Sequence, residues 1–281
     1  MAPNRPKRLP TPAEVAQAIL RDKGLGRTLP VDVEAVLAGE VVELEYFEAE
    51  RASEGRLELV EDVPTIFVNV RGRTRQHPRV RFTLGHEAGH YFLHRQRLRT
   101  KGPIRDERVI LDQGVKLDDV EREANEFAIE LLLPSTILKE RFDRTRLIDV
   151  DFIVKLATEA NVSLQATAIR VVRESEDRIA VLVVEGGVIQ WVAVSDDWRE
   201  AHLPAGQLKG KALPRGAVAA RRADDYREER VAIKEWAPNQ KWKEADLYES
   251  ALNTSYGRLL FLGAEGGEDG DEEDDVEAER R

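Results

Sequence analysis

The sequence predicts an α+β fold in three folded parts: a helix-and-sheet domain over residues 11–148, a helical pair over 149–176, and a β-rich domain over 177–263. A flexible start (1–10) and a disordered acidic tail (264–281) flank them. Three observations predict this. Runs of β-branched residues precede two strongly helical stretches in the first half. A tight pair of short helices follows, around Asn161-Val162-Ser163. After Glu174-Ser175-Glu176-Asp177 the pattern turns to β runs at hairpin spacing, and all four tryptophans (191, 198, 236 and 242) fall there.

Taken in order, Thr11-Pro12-Ala13-Glu14 is a capping box with proline at the first helical position, opening a helix to about Lys23. A second helix starts within 31–37. Residues 41–47, 56–60 and 66–70 read as strands of a small sheet. Next comes a helix whose apolar stripe is Phe82, Ala88, Phe92 and Leu93, then an irregular basic stretch at 95–118. An amphipathic helix over 120–133 follows, stopped by Pro134. The segments 152–157 and 164–170 carry a helix-turn-helix pattern. Residues 179–184 and 188–194 flank Gly186-Gly187 as a β-hairpin. Further strands are expected at 217–220, 230–236, 246–251 and 257–262. Tryptophans in a small β domain are core residues first, so no ligand is assigned to residues 177–263.

Composition narrows the chemistry. The 281 residues include no cysteine, which excludes disulfide scaffolding, thiol catalysis and cysteine zinc fingers. Met1 to Pro10 is basic and proline-rich, and no apolar core follows as a signal peptide would need. No segment approaches the roughly 20 apolar residues of a membrane span, so a cytoplasmic protein is expected. The net charge of −10 is uneven: residues 264–281 hold ten acidic and two basic residues, leaving −2 for the rest. Such a tail is too charged to fold. An arginine-rich strip (Arg71, Arg73, Arg75, Arg79 and Arg81, then Arg95, Arg97, Arg99 and Lys101) is a candidate surface for nucleic acid or for an acidic substrate segment.

The chemistry concentrates in His86-Glu87-Ala88-Gly89-His90. On an α-helix, positions four apart share a face, so the imidazoles of His86 and His90 can grip one Zn²⁺. Glu87 can take a proton from a water that the metal has acidified to a pKa of about 7. A third protein ligand is needed. His94 lies two turns past His86, too far along the axis to close a compact site easily, and is read as supporting the ligands or packing. In the helix over 120–133, Ala124, Ala128, Leu131 and Leu132 define the inner stripe, and Glu121 falls on that face. A carboxylate facing a core is costly to bury without a partner or a metal, which favours Glu121 over Glu123 as third ligand. Asn125, four residues on, is placed to hold a ligand histidine through its second ring nitrogen.

The stretch from Phe82 to His90, then His94, then Glu121-x-Glu123-Ala124-Asn125-x-Phe127-Ala128 with Leu131-Leu132-Leu133-Pro134, resembles the ImmA/IrrE family of metallopeptidases. The lead-in residues Leu29 to Glu34 and Thr65 to Asn69 add to the resemblance, which spans roughly residues 10–175. It implies a zincin-like catalytic domain over 11–148, with zinc (or manganese) held by His86, His90 and Glu121 and with Glu87 as general base. It also implies a protein substrate: a helix-turn-helix transcriptional repressor, cleaved to induce a stress response or a mobile element. Two other readings stand beside the endopeptidase. One is a non-catalytic regulatory or interaction protein that keeps the metallopeptidase fold. The other is a DNA-binding regulator using residues 151–173, where Lys155, Arg170 and Arg173 are offset by Asp149, Asp151, Glu159, Glu174 and Glu176, so direct nucleic-acid binding is not expected.

Overall fold

In the computed structural model the described residues are 8–101, 104–105, 119–145, 148–200, 208–236, 246–254 and 257–264. Two units divide the chain: residues 1–147 with 152–174, and residues 148–151 with 175–281.

The first unit begins as its sequence dictates. The Thr11 side chain accepts from the Glu14 amide at 3.2 Å, and the Glu14 carboxylate accepts from the Thr11 amide at 2.7 Å. That closes the capping box on α1 (Pro12–Asp22). Asp32 caps α2 (Val33–Leu37) by accepting from the Ala35 amide. A sheet then forms from β1 (Glu43–Phe47), β2 (Gly55–Val60), β3 (Val63–Asn69) and β4 (Ile104–Arg105), in the order β1-β3-β2-β4. β1 runs parallel to β3, while β2 pairs antiparallel with both β3 and β4. Glu61 and Asp62, both at positive φ (48° and 65°), turn the β2–β3 hairpin.

Across the sheet lies α3 (Pro78–Lys101), the helix that carries the His-Glu-x-x-His motif. It runs further than the irregular stretch expected from residue 95, because Arg95 to Lys101 contains neither glycine nor proline to stop it. Residues 106–118 of that stretch lie outside the described residues. α4 (Asp119–Leu132) packs against α3 and α1. Pro134 ends α4 but also starts α5 (Ser135–Phe142), a helix the sequence pattern did not reveal. Buried Glu130 caps it by accepting from the Ser135 amide at 3.0 Å and the Ser135 hydroxyl at 2.7 Å. The helical pair is α6 (Val150–Ala160) and α7 (Leu164–Glu174), joined through Asn161 at positive φ. Arg170 of α7 pairs with Glu130 and with Glu174, tying α7 to the end of α4.

The second unit is an antiparallel five-stranded sheet in the order β6-β5-β9-β8-β7. β5 (Ile179–Glu185) and β6 (Val188–Val194) form the expected hairpin around Gly186 and Gly187, whose positive φ values (57° and 77°) suit the tight turn. A short α8 (Asp196–Glu200) buries Trp198. The strand expected at 217–220 is instead the helical turn α9 (Val218–Arg221). Its cause is tertiary: the buried Glu249 carboxylate accepts the amides of Val218 (3.1 Å) and Ala219 (2.7 Å). The same carboxylate accepts from Tyr226 Oη and Trp236 Nε1. The strand expected over 230–236 begins earlier, as β7 (Tyr226–Ala232), and gives way to α10 (Ile233–Trp236), which turns Trp236 into the core. β8 (Asp246–Thr254) and β9 (Gly257–Ala264) complete the sheet. Trp198 and Trp236 are core residues, Trp191 is half-buried, and Trp242 and the acidic tail beyond Ala264 lie outside the described residues.

Candidate metal centre

The site is built by the approach of two helices. On α3, Gly85 and Gly89 lie one turn apart and face Ala128 and Ala124 of α4. A β-carbon on Gly89 would lie 3.1 Å from both Cα and the carbonyl oxygen of Ala124, and 3.2 Å from Phe127 Cδ1. Only a glycine leaves the two backbones this close. Glu121 stands one turn before Ala124, so the close crossing carries its carboxylate to the two motif histidines.

Three donors meet there. His86 Nε2 lies 3.0 Å from His90 Nε2 and 3.2 Å from Glu121 Oε2, and His90 Nε2 lies 3.3 Å from Glu121 Oε1. Both imidazoles are almost wholly buried, at 1% and 0% exposure. The outer ring nitrogens are occupied. His86 Nδ1 meets Asn125 Oδ1 at 3.0 Å, and His90 Nδ1 meets His94 Nδ1 at 3.2 Å. His94 Nε2 in turn meets Glu123 Oε2 at 2.8 Å. The structure thus brings Glu121 to the histidines and leaves Glu123, the other acidic candidate, one residue further out.

This donor set fits a divalent metal ion. With Nδ1–H of each ring directed outward, two Nε2 lone pairs face each other beside a carboxylate, an arrangement that repels itself unless a cation lies between. Four-coordinate zinc with bonds of about 2.0–2.1 Å sets its ligand atoms roughly 3.3 Å apart, close to the three separations found. A proton is a poor substitute, because burial pushes His90 down to about 4 despite the opposing pull of Glu121. Burial pushes the Glu121 carboxyl up, but its close contacts with His86 and His90 outweigh burial and hold the group at about 2. At neutral pH His90 is therefore neutral and Glu121 charged, the forms a metal needs. His86, His90 and Glu121 are the group among the described residues able to hold an ion in this way.

Glu87 is fully buried, and its carboxylate lies against the first residue of β2. A β-carbon on Gly55 would sit 2.5 Å from Glu87 Oε1 and 2.6 Å from Thr83 Cγ2. The loop before Gly55 is fastened by Asn69, whose amide donates to the Ala49 carbonyl at 2.7 Å, and by Arg71, which bonds Ala49, Ala52 and Glu54. Sequence reasoning missed Gly55, Gly85 and Gly89. The signal was present for two of them: glycine inside a helix costs roughly 1 kcal/mol against alanine, so two glycines one turn apart in α3 call for a packing reason.

In the first half of the arginine strip each side chain has a partner. Arg71, Arg73 and Arg79 all approach Glu54, Arg75 lies over the Tyr46 ring, and Arg81 is buried against the carbonyls of Val31 and Ala160. Side chains at 97–101 lie outside the described residues. No helix among the described residues is long and apolar enough to cross a membrane.

No curated protein matches the chain. Among solved structures it is similar to a Mycobacterium tuberculosis transcriptional regulator, at 13% identity and a TM-score of 0.50, over 90% of this chain and 74% of that one. At that identity the likeness is one of fold. Residues 44–172 match the model of the Peptidase_M78 family, the IrrE N-terminal-like domain, and the match takes in α3 and α4 with all three donors and Glu87. Over these residues the chain carries a Peptidase_M78 (IrrE N-terminal-like) domain.

Proposed function

We propose that the chain is a zinc-dependent endopeptidase that hydrolyses a peptide bond with activated water. The observation that carries this reading is the convergence of His86, His90 and Glu121 on one point, with the buried Glu87 next to the first of them in the motif. His86, His90 and Glu121 would hold a metal ion, which when bound would supply Lewis acidity to a scissile carbonyl and to a water molecule. Glu87 takes the water's proton as its oxygen attacks the carbonyl carbon, then delivers that proton to the departing amine nitrogen. Asn125 and His94 hold the ligand rings in their working orientation through Nδ1. Zinc is the metal assigned, with manganese as the alternative.

The substrate class we assign is a helix-turn-helix transcriptional repressor, whose cleavage would induce a stress response or a mobile element. The Peptidase_M78 domain over residues 44–172 supports a protein substrate. A DNA-binding role for the helical pair is disfavoured by α7 itself, in which Thr167, Ala168, Arg170, Val171 and Val172 are buried and Arg170 is engaged by two carboxylates. The test is hydrolysis of such a repressor by the parent and by Glu87→Gln at equal zinc content.

A further inference from the structure

We infer that Glu123, a partly exposed residue outside the donor set, is a positioning residue that fixes the tautomer of His90 by acting through His94; the inference rests on the metal-centre reading above. The geometry is a linear chain of three groups. For His90 to offer its Nε2 lone pair to a metal, its ring proton must sit on Nδ1. That Nδ1–H has His94 Nδ1 as its partner, 3.2 Å away, so His94 must accept there and carry its own proton on Nε2. His94 Nε2–H then donates to Glu123 Oε2 at 2.8 Å. Each proton's place is set by the group beyond it, and only Glu123 ends the chain as a pure acceptor. Were His94 to take the other tautomer, two N–H groups would oppose each other and His90 would be driven to carry its proton on Nε2, facing His86 Nε2 and Glu121.

The other ligand is held differently. His86 Nδ1–H donates to Asn125 Oδ1, and the amide nitrogen Nδ2 of Asn125 is buried with no hydrogen-bond partner among the described residues. The amide orientation that serves His86 thus leaves Nδ2 unsatisfied. A single residue suffices on that side, whereas His90 needs two in series because the group next to it is an imidazole, which can either donate or accept at Nδ1. His94 is ambiguous until Glu123 resolves it. Glu121 and Glu123 are two apart on α4, so the first turn of that helix supplies both a metal donor and the end of the chain that orients another donor.

The experiment compares zinc affinity, by competition with a chromophoric chelator, in the parent and in Glu123→Ala, Glu123→Gln, His94→Phe and the His94→Phe/Glu123→Ala double variant. The Glu123 side chain is 45% exposed, so its replacement leaves the fold standing, and unfolding of the metal-free proteins checks this. Glu123→Ala is expected to weaken zinc about 10-fold or more, within the 10–100-fold range of such supporting groups. Glu123→Gln, whose amide oxygen still accepts from His94 Nε2–H, is expected to stay within about threefold of the parent. In the His94→Phe background, adding Glu123→Ala should change nothing further, because its effect passes through His94. The visible spectrum of the cobalt-substituted protein should shift for Glu123→Ala and not for Glu123→Gln. Parent-like affinity in Glu123→Ala, equal losses in Ala and Gln, or full additivity with His94→Phe would each overturn the inference while leaving the metal centre intact. A parent that binds no metal would overturn both.

Discussion

Replacing Gly89 with alanine adds one methyl group where α3 and α4 nearly touch. Its β-carbon would lie 3.1 Å from Ala124 Cα and from Ala124 O, and 3.2 Å from Phe127 Cδ1. Ordinary carbon contacts sit near 3.5–4.0 Å, so α4 must withdraw by a few tenths of an ångström. Glu121 rides on α4 one turn from Ala124 and withdraws with it. Metal–ligand distances tolerate only about ±0.2 Å, so zinc affinity should fall at least 10-fold. Fold stability should respond less. Overpacking costs about 1–3 kcal/mol, and the better helix propensity of alanine returns about 1 kcal/mol. Gly85→Ala is the internal control. Its β-carbon would meet Ala128 Cβ at 3.5 Å, an ordinary contact, so it should raise stability by up to about 1 kcal/mol and leave zinc affinity unchanged. Chelator competition and urea unfolding of the metal-free proteins read the two quantities separately. Parent-like zinc affinity in Gly89→Ala, or an equal loss in Gly85→Ala, would refute the argument that helix approach places the third donor.

Two further predictions follow from the same geometry. Gly55→Ala puts a methyl group 2.5 Å from Glu87 Oε1, which must move; kcat should drop by about 10²–10⁴, the usual worth of a general base, while zinc affinity stays within about twofold. The pH dependence of the metal-free protein has a definite sign. His90 titrates at about 4 in the folded chain against about 6.5 when unfolded, so the unfolded state takes up the proton first. Stability is then full above pH 6.5 and falls as pH drops toward 4, by on the order of 3 kcal/mol. His90→Gln should flatten urea-unfolding stability across that window, and an unchanged slope would contradict the assignment.

Much of the first unit was legible because its signals are local. The capping box at Thr11 and Glu14, the i, i+4 histidines and the inner stripe of α4 each follow from periodicity and side-chain chemistry, and the structure brings His86, His90 and Glu121 together. What escaped depends on partners distant in sequence. Residues 217–220 carry no helical period, and they turn helical because Glu249, some 30 residues away, caps their amides. Pro134 reads as a stop, yet Glu130 reaches past it to cap α5. The arginines from Arg71 to Arg81 read as an open basic strip, and the carboxylate of Glu54, which gathers three of them, lies in a separate loop. The glycines were visible, but their role appears only once the opposing backbone is in place.

The most direct test incubates zinc-loaded parent and Glu87→Gln with a helix-turn-helix repressor and follows its cleavage, with zinc content measured on the same samples. Cleavage by the parent alone, at one zinc per chain in both proteins, is the result expected. Cleavage retained in Glu87→Gln, or a zinc-loaded parent that binds the repressor and leaves it whole, would contradict the assignment of this site to peptide-bond hydrolysis.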